Sequence, residues 1–215
     1  MYSAYLFDFD YTLGDATEGI VESVNYALKQ MNLPIAIKEE IRKTIGMNLV
    51  ATYSYLTQDE TNDNQTCFVR LFRQRADEVM LENTKLFKDT ETLLKNLKNR
   101  QFKTAIVTTK YNYRIQQILS KFDIASLIDV IVGCEDVVHP KPHPEPIEKA
   151  IKLLNVCPEN CLYIGDSLID AETAFRANVD FIAVTTGTTL KEEFVKFPYI
   201  KIFGCLNELV AFSLY

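Results

Sequence analysis

The stretch AYLFDFDYTL, residues 4–13, decides the fold class of this chain. Residues 4–9 form a short, nearly continuous apolar run, which is typical of a strand buried on both faces of a parallel sheet. Asp8 and Asp10 stand at the end of this run. Ligands of open α/β sheets bind outside the carboxyl ends of the strands. The stretch therefore predicts a buried first strand that delivers two carboxylates to a polar site.

Further apolar runs of strand length follow along the chain and alternate with segments of helical periodicity. The strands are predicted at residues 104–107, 130–132, 161–164 and 181–184, and the clearest helical stripes lie within residues 115–122 and 147–154. We also expect a last strand at residues 200–203 and a last helix at residues 206–214. Strands that alternate with helices predict an α/β fold with a doubly wound parallel sheet and right-handed crossovers.

The roughly seventy residues between the first and second of these strands have helical rather than strand periodicity. A short helix is expected to carry Ile41 and Ile45 and to end at Gly46. Two longer amphipathic faces consist of Ile20, Val21, Val24, Leu28 and Met31, and of Phe68, Leu71, Phe72, Val79 and Met80. The pattern predicts a small all-helical domain at residues 15–83, inserted into a core domain of residues 1–14 and 84–215.

The composition is typical of a globular protein, with 47% hydrophobic and 24% charged residues. The net charge of −6 disfavours nucleic acid as a partner, because a phosphate backbone requires a basic face. No apolar run approaches the ~20 residues that cross a bilayer, and the N-terminus lacks the features of a signal peptide. The five cysteines contain no CxxC pair, which argues against a disulfide framework or a zinc ribbon. We therefore expect a cytoplasmic protein without a membrane partner.

Polar residues follow four of the predicted strands, and the carboxyl ends of parallel strands meet at one edge of a sheet. They are Asp8 and Asp10 after the first strand, Thr108 and Thr109 after the second, Lys141 beyond the third, and Asp166 and Asp170 after the fourth. Several carboxylates share a small site only if a cation neutralises them, and oxygen ligands favour a hard ion such as Mg²⁺. We predict that Asp8, Asp166 and the backbone carbonyl of Asp10 hold this Mg²⁺.

The same residues predict a phosphoryl-transfer mechanism. The Asp8 carboxylate is expected to attack phosphorus and form an aspartyl-phosphate, while Asp10 acts as general acid and then as general base. Thr108 and Lys141 are expected to hold the phosphoryl oxygens, and Asp170 to orient Lys141 or a metal-bound water.

The four motifs, at residues 8–12, 106–110, 141–144 and 165–170, resemble those of the haloacid dehalogenase (HAD) superfamily. The helical insertion and residues 86–186 are similar to the helical-cap subgroup and its phosphoglycolate phosphatase-like branch. The resemblance implies a Rossmann-like core under a helical cap, Thr109 among the phosphate-binding residues and Thr12 beside the metal site. The family most often has glycine where this chain has Tyr11. We expect Tyr11 to adopt ordinary backbone angles and to restrict the site entrance without abolishing activity.

The segment at residues 42–48 resembles the cap loop that helps to select the substrate in related enzymes. Arg42 or Lys43 could meet a carboxylate or a second phosphate of the substrate, and Met47 lies in the same loop. The expected partner is a small phosphorylated metabolite, and phosphoglycolate, a sugar phosphate, a nucleotide monophosphate and pyrophosphate all remain open. A monomer and a homodimer are equally compatible with the sequence.

Two other functions use similar groups. A phosphomutase of the β-phosphoglucomutase kind resembles the same branch, but it returns the phosphoryl group to a sugar rather than to water. A phospho-accepting signalling receiver also uses aspartate, threonine, lysine and Mg²⁺. Receivers are roughly half as long, lack the helical insertion and carry the accepting aspartate after a later strand.

Overall fold

The computed structural model describes residues 2–212, with side chains described as far as residue 210. Its strands are β1 (Ala4–Phe7), β2 (Gly14–Asp15), β3 (Lys85–Leu86), β4 (Lys103–Val107), β5 (Val130–Val132), β6 (Cys161–Gly165), β7 (Asp180–Val184) and β8 (Lys201–Phe203). Its α-helices are α1 (Thr17–Gln30), α2 (Lys38–Arg42), α3 (Leu49–Thr57), α4 (Asn62–Val79), α5 (Thr90–Asn99), α6 (Asn112–Lys121), α7 (Glu145–Leu154), α8 (Leu168–Arg176) and α9 (Leu206–Phe212). Short 3₁₀ helices lie at Ala125–Leu127, Cys134–Asp136, Pro158–Asn160 and Lys191–Lys196.

The chain divides into two compact units. Unit 1 comprises Met1–Asp15 and Leu86–Tyr215, and unit 2 comprises Ala16–Lys85. The sequence placed Asp15 in the insertion and residues 84–85 in the core, whereas the structure assigns them the other way round. The boundaries therefore differ from the predicted ones by one residue at the start of the insertion and by two at its end.

Unit 1 is built on a six-stranded sheet in the order β5-β4-β1-β6-β7-β8, and its strand pairs are parallel. After β1 the chain builds outwards through β4 and β5 and then returns to β6 on the other side of β1. The strand order therefore reverses around β1, and in such sheets the crevice for a ligand opens at the carboxyl ends of the strands beside that point. The predicted α/β fold with a doubly wound parallel sheet is confirmed.

The core of unit 1 lies between the sheet and the apolar faces of its helices. Leu6, Val107 and Tyr163 from three neighbouring strands join Ile147 and Ala150 of α7 in one buried cluster. Burial of these side chains stabilises the sheet by roughly 1.5–3 kcal/mol for each large aliphatic residue. The four inner strands β1, β4, β6 and β7 are buried on both faces, which explains why they are continuous apolar runs in the sequence.

The first strand is shorter than the run of residues 4–9 predicts, because the chain turns at Phe9. The carbonyl oxygen of Phe9 accepts hydrogen bonds from the N–H groups of Thr12, Leu13 and Gly14, at 2.9 to 3.2 Å. This turn ends β1 at Phe7, so Asp8 and Asp10 lie in the connection rather than in the strand. At the other end of the chain α9 begins at Leu206 as predicted, and residues 213–214 of that prediction lie outside the described residues.

Unit 2 consists of α1 to α4 and the turns between them. The apolar stripes of α1 and α4 pack in one cluster that includes Val24, Leu28, Phe68 and Phe72. The predicted helix through Ile45 is wrong, because α2 ends at Arg42 and Ile45 lies in the turn that follows. Gly46 has a φ of 98°, a conformation that favours glycine, and it belongs to this turn rather than to a helix end. Among the helices of residues 2–212, none combines the length and the apolar character needed to cross a membrane.

Candidate active site

The candidate site lies in unit 1, at the carboxyl ends of β1, β4 and β6. Asp8 follows β1, Thr108 follows β4, and Asp166 follows β6. The backbone ladder extends one residue past two of these strands, because Asp8 N–H donates to Ile164 at 2.9 Å and Thr108 N–H donates to Val132 at 3.0 Å. Since β1 pairs with both β4 and β6, Asp8 meets residues about 100 and about 160 positions further along the chain at this edge.

Three carboxylates come together there. Asp8, Asp166 and Asp170 each offer an oxygen atom, and these atoms lie within 4.8 Å of one another. Their exposed fractions are 2%, 4% and 1%. Thr12, which the resemblance places beside the metal site, donates a hydrogen bond to Asp166 Oδ1 at 3.3 Å. This oxygen-only cluster suits a hard divalent cation.

The first turn of α8 positions the Asp170 side chain. Ser167 caps this helix, its hydroxyl accepts from the Asp170 N–H at 3.2 Å, and its own N–H donates to Asp170 Oδ2 at 3.1 Å. This capping box leaves Oδ1 of Asp170 for other contacts. The sequence assigned Asp170 only an orienting role, whereas the structure also places its carboxylate among the three that could hold a cation.

The electrostatics of the cluster also fit a cation. The pKa of Asp8 is raised to about 7, chiefly by burial, which the carboxylates of Asp170 and Asp10 reinforce and Lys141 opposes. Burial, together with Asp170 and Asp8, also holds the pKa of Asp166 well above its usual range. Crowded carboxylates of this kind resist ionisation until a metal ion supplies positive charge. The residues present therefore fit a divalent metal ion.

A glycine on the loop after β7 makes room for Asp166. A Cβ atom built on Gly187 would lie 1.9 Å from Asp166 Oδ2, a separation that no side chain tolerates. Gly187 is distant in the chain from the four motifs, so no sequence pattern singles it out. Its proximity to Asp166 follows from the pairing of β6 with β7.

Lys141 joins the acidic groups from the loop before α7. Its Nζ lies 2.8 Å from Asp8 Oδ1 and 2.7 Å from Asp170 Oδ1, and the residue is 3% exposed. Burial acts to lower the pKa of Lys141, but the carboxylates of Asp170 and Asp8 outweigh it and raise the pKa above its ordinary value. Lys141 therefore remains a buried ammonium group at neutral pH.

Tyr163 supports this lysine and was missed by the sequence reasoning. Its hydroxyl lies 3.2 Å from Lys141 Nζ, 2.9 Å from Asp170 Oδ1 and 3.2 Å from the carbonyl oxygen of Val107. The available signal was a tyrosine in the otherwise apolar run of β6, since a buried phenol requires a hydrogen-bond partner. Burial, reinforced by Asp170 and Asp8, raises the pKa of Tyr163 well above 10.0, so its hydroxyl stays protonated.

Asp10 lies apart from the three clustered carboxylates and has a different partner. Its Oδ2 lies 2.8 Å from Lys110 Nζ, and both side chains are 7% exposed. Its Oδ1 is buried and has no hydrogen-bond partner. The sequence identified Lys110 as part of the second motif but gave it no role. The contact depends on the pairing of β1 with β4, which periodicity alone does not reveal.

The two predicted phosphate-binding threonines end β4. Thr108 is buried, and its hydroxyl oxygen accepts from the Lys110 N–H at 3.2 Å, whereas Thr109 is half-buried. Both stand at the same sheet edge as Asp8, and their contact with phosphate stays a prediction.

The expectation for the backbone of Tyr11 is wrong. Tyr11 has a φ of 59°, in the left-handed region, and its side chain is 4% exposed. Its N–H donates to the Gly14 carbonyl oxygen at 2.7 Å, and its own carbonyl accepts from the Thr186 hydroxyl. A left-handed conformation costs a residue with a side chain roughly 1–2 kcal/mol. This explains why glycine suits the position, and the hydrogen bonds offset part of the cost.

The three candidates for substrate selection belong to unit 2. Arg42 ends α2 and is half-buried, and Met47 is half-buried in the following turn. Lys43 is exposed and forms an ion pair with Glu40 at 2.6 Å. Their part in substrate selection stays a prediction.

Comparison with known proteins identifies the family. Residues 5–184 match the model of the haloacid dehalogenase-like hydrolases. The chain is 30% identical over 212 residues to a phosphoglycolate phosphatase from Colwellia psychrerythraea, covering 95% of this chain and 94% of that protein. It is 34% identical over 179 residues to the pyrophosphatase PpaX of Oceanobacillus iheyensis, covering 83% and 81% of the two chains.

A solved structure supports the same family assignment. The crystal structure described as a haloacid dehalogenase-like hydrolase from Bacteroides fragilis superposes with a TM-score of 0.95 at 41% identity, over 97% of this chain and all of that one. The resemblance drawn from the four motifs is thereby confirmed. The chain belongs to the haloacid dehalogenase-like hydrolase family, as a phosphatase.

Proposed function

We propose that this phosphatase hydrolyses small phosphomonoesters with Mg²⁺ through an aspartyl-phosphate on Asp8. The observation that carries the proposal is the buried group of Asp8, Asp166, Asp170 and Lys141, in which one ammonium bridges two of three clustered carboxylates. Buried charges of this kind are costly to fold, and they cluster at sites where chemistry requires them.

The metal would be held by the carboxylates of Asp8 and Asp166 and by the backbone carbonyl of Asp10, with Asp170 close enough to orient what is bound. When bound, Mg²⁺ supplies the positive charge that keeps these carboxylates ionised and offsets the charge of the phosphoryl group.

The residues divide the reaction into two steps. An oxygen of Asp8 forms a bond to phosphorus as the ester P–O bond breaks, and Asp10 gives its proton to the departing alcohol oxygen. Asp10 then takes a proton from water as the water oxygen bonds to phosphorus. The Asp8–phosphorus bond breaks in this second step, inorganic phosphate leaves, and both carboxyl groups return to their starting states.

Lys141 and the two threonines stabilise the transferring group. Lys141 stays an ammonium and is fixed in direction by Asp170 and Tyr163, so its charge is aimed before the reaction begins. Preorganised donors in a buried site contribute strongly to catalysis, because no reorganisation is required in the transition state. We assign Thr108 and Thr109 to the non-bridging phosphoryl oxygens.

For the substrate we propose a small phosphorylated metabolite of the phosphoglycolate type. The support is the relative named phosphoglycolate phosphatase, which aligns over nearly the whole of both chains. The relatives named pyrophosphatase PpaX favour pyrophosphate as the second candidate. We assign the recognition of the second anionic group to Arg42 or Lys43, with Met47 beside them in the sequence. Asp8 attack is equally compatible with a phosphomutase. The signalling receiver is set aside because receivers lack the helical insertion, which unit 2 of this chain forms.

The test is a phosphate-release screen over phosphoglycolate, pyrophosphate, sugar phosphates and nucleotide monophosphates in the presence of Mg²⁺. We expect activity to disappear after thorough chelation and to return with Mg²⁺. Asp8→Asn should lower turnover by a factor on the order of 10⁴ or more while the protein stays folded.

The matched control is Asp180→Asn. Asp180 begins β7 and therefore stands at the opposite edge of the sheet, where it accepts a hydrogen bond from Tyr2, and its loss should leave turnover unchanged. Undiminished activity of Asp8→Asn, or full activity without divalent metal, would contradict the mechanism. Conversion of a sugar phosphate into its isomer with little phosphate release would indicate the mutase instead.

A further inference from the structure

Lys110 forms a buried ion pair with the proposed acid–base residue. Its Nζ lies 2.8 Å from Asp10 Oδ2, and each side chain is 7% exposed. Lys110 reaches Asp10 because it follows the end of β4, and β4 is the neighbour of β1. The pair is therefore built into the sheet rather than formed by mobile surface side chains.

The two oxygens of Asp10 have different surroundings. Lys110 fixes Oδ2, while Oδ1 is buried without a hydrogen-bond partner. Among the buried side-chain nitrogen and oxygen atoms of the described residues, Oδ1 of Asp10 alone lacks a partner. An unsatisfied buried acceptor destabilises a folded protein. Such an atom is what a proton-transfer group must present, because a partner from the protein would compete with the leaving alcohol and with water.

A contribution to folding stability does not by itself explain the buried Lys110. Desolvation of a buried ion pair offsets most of its attraction, and apolar residues of similar volume often replace such pairs without loss. The pair of Lys98 and Asp129 offers a contrast in the same unit, since those side chains are 28% and 35% exposed. Asp129 directly precedes β5, so that pair stands at the amino edge of the sheet, away from the site.

We infer that Lys110 is a positioning residue for catalysis, which fixes the Asp10 carboxyl group so that Oδ1 carries the proton to the leaving alcohol. The inference rests on the proposed function. In the first step the Oδ1–H bond of Asp10 breaks and an O–H bond forms on the departing oxygen, while Asp8 gains its bond to phosphorus. Without Lys110 the Asp10 carboxyl group is free to rotate. Protonation of the leaving group then slows more than the attack of Asp8 on phosphorus.

The experiment compares two phosphate esters on Lys110→Met. Nitrophenolate departs without a proton, whereas a simple alkoxide requires one, so only the alkyl ester depends on the acid. We measure kcat/KM, which includes only the steps up to departure of the alcohol. For the alkyl phosphate we expect a fall of about 100-fold, the lower range of general acid catalysis, and for p-nitrophenyl phosphate a change within about threefold.

Four further variants sharpen the result. Asp10→Asn should show the same preference for the nitrophenyl ester, and Lys110→Met added to Asp10→Asn should cause no further loss, because both act on one proton transfer. Lys110→Arg should recover part of the activity on the alkyl ester. Lys98→Met breaks the more exposed lysine–aspartate pair at the amino edge and should leave the hydrolysis of both esters unaffected.

The outcomes separate the inference from the proposed function. If Lys110→Met is folded by circular dichroism and lowers kcat/KM for both esters equally, or if its effect adds fully to that of Asp10→Asn, Lys110 does not act through Asp10. If the methionine variant does not fold, Lys110→Gln carries the same comparison. A wild-type enzyme that hydrolyses neither ester nor any metabolite of the screen would instead overturn the proposed function.

Discussion

The carboxyl edge of the unit 1 sheet and the surface of unit 2 use charged residues in opposite ways. At the sheet edge Asp8, Asp166 and Lys141 are at most 4% exposed. In unit 2, Arg75 pairs with Glu22 and Glu78 in side chains that are 33% to 55% exposed. Water screens the second set, so those charges contribute little to stability. The first set is desolvated, so every charge there affects both folding and chemistry.

The largest effect should come from pH, because the sheet edge contains carboxylates that resist ionisation. The pKa of Asp8 is raised from 3.8 to about 7, so the folded, metal-free protein holds this proton more tightly than the unfolded chain. Its stability should therefore fall as pH rises from about 4 to 7, by up to about 4 kcal/mol from this one group. Urea unfolding of the metal-free protein at pH 5 and at pH 8 measures the larger part of this difference.

Two controls belong to this experiment. Asp8→Asn should flatten the pH dependence and stabilise the metal-free protein at pH 8. Mg²⁺ at pH 8 should restore stability to the wild type, since a cation favours the ionised carboxylates. A wild type whose stability rises from pH 5 to pH 8 in the absence of metal contradicts the proposed origin of the shift.

Gly187→Ala should weaken metal binding. The added Cβ would lie 1.9 Å from Asp166 Oδ2, so the carboxylate must move away from its place beside Asp8. Disturbance of this kind around a metal site typically lowers affinity by about 10- to 100-fold. Calorimetric titration with Mg²⁺ measures the change, and Gly204→Ala, whose Cβ would approach only Glu208, is the matched control. Equal Mg²⁺ affinity in both variants would rule out this role for Gly187.

Tyr163→Phe should have an intermediate effect. The variant keeps the ring but removes the hydroxyl that contacts Lys141 and Asp170. A buried hydrogen-bond partner lost in this way destabilises by about 1–3 kcal/mol. We also expect kcat to fall more than KM changes, because the lysine would lose its fixed direction. Unfolding measures the loss of stability, and steady-state kinetics measure the change in kcat and KM. The control is Tyr53→Phe, which removes a hydrogen bond to Asp59 in unit 2 and should lower stability without changing turnover.

The smallest effect should come from the surface of unit 2. Glu78→Gln removes one partner of Arg75, which keeps Glu22. Because the pair is exposed and spaced i, i+3, we expect Tm to shift by no more than about 1–2 °C, and turnover to remain unchanged. A shift in Tm as large as that of Tyr163→Phe would mean that the exposed charges of unit 2 affect stability as much as the buried polar groups at the sheet edge.

The sequence correctly predicted the parts of the molecule that depend on neighbouring residues. Apolar runs placed the strands within a few residues, and polar groups after those runs indicated the edge of the sheet where Asp8, Lys141 and Asp166 meet. Both inferences rest on the continuous apolar runs that mark buried strands and on the rule that ligands bind at strand carboxyl ends. The errors at Phe9 and Ile45 occurred where a turn ends an element, because turns depend on hydrogen bonds that periodicity does not contain.

By itself the sequence determined the fold class, the order of the four motifs and the residues with reactive side chains. Only the tertiary structure decided that Asp170 joins the clustered carboxylates. It placed Lys110 against Asp10 and Tyr163 against Lys141. It also showed that Gly187 makes room for Asp166. It also decided that Tyr11 takes a left-handed conformation. The physical reason is that these contacts join residues from different strands, so they depend on the order and register of the sheet, which no local stretch of sequence specifies.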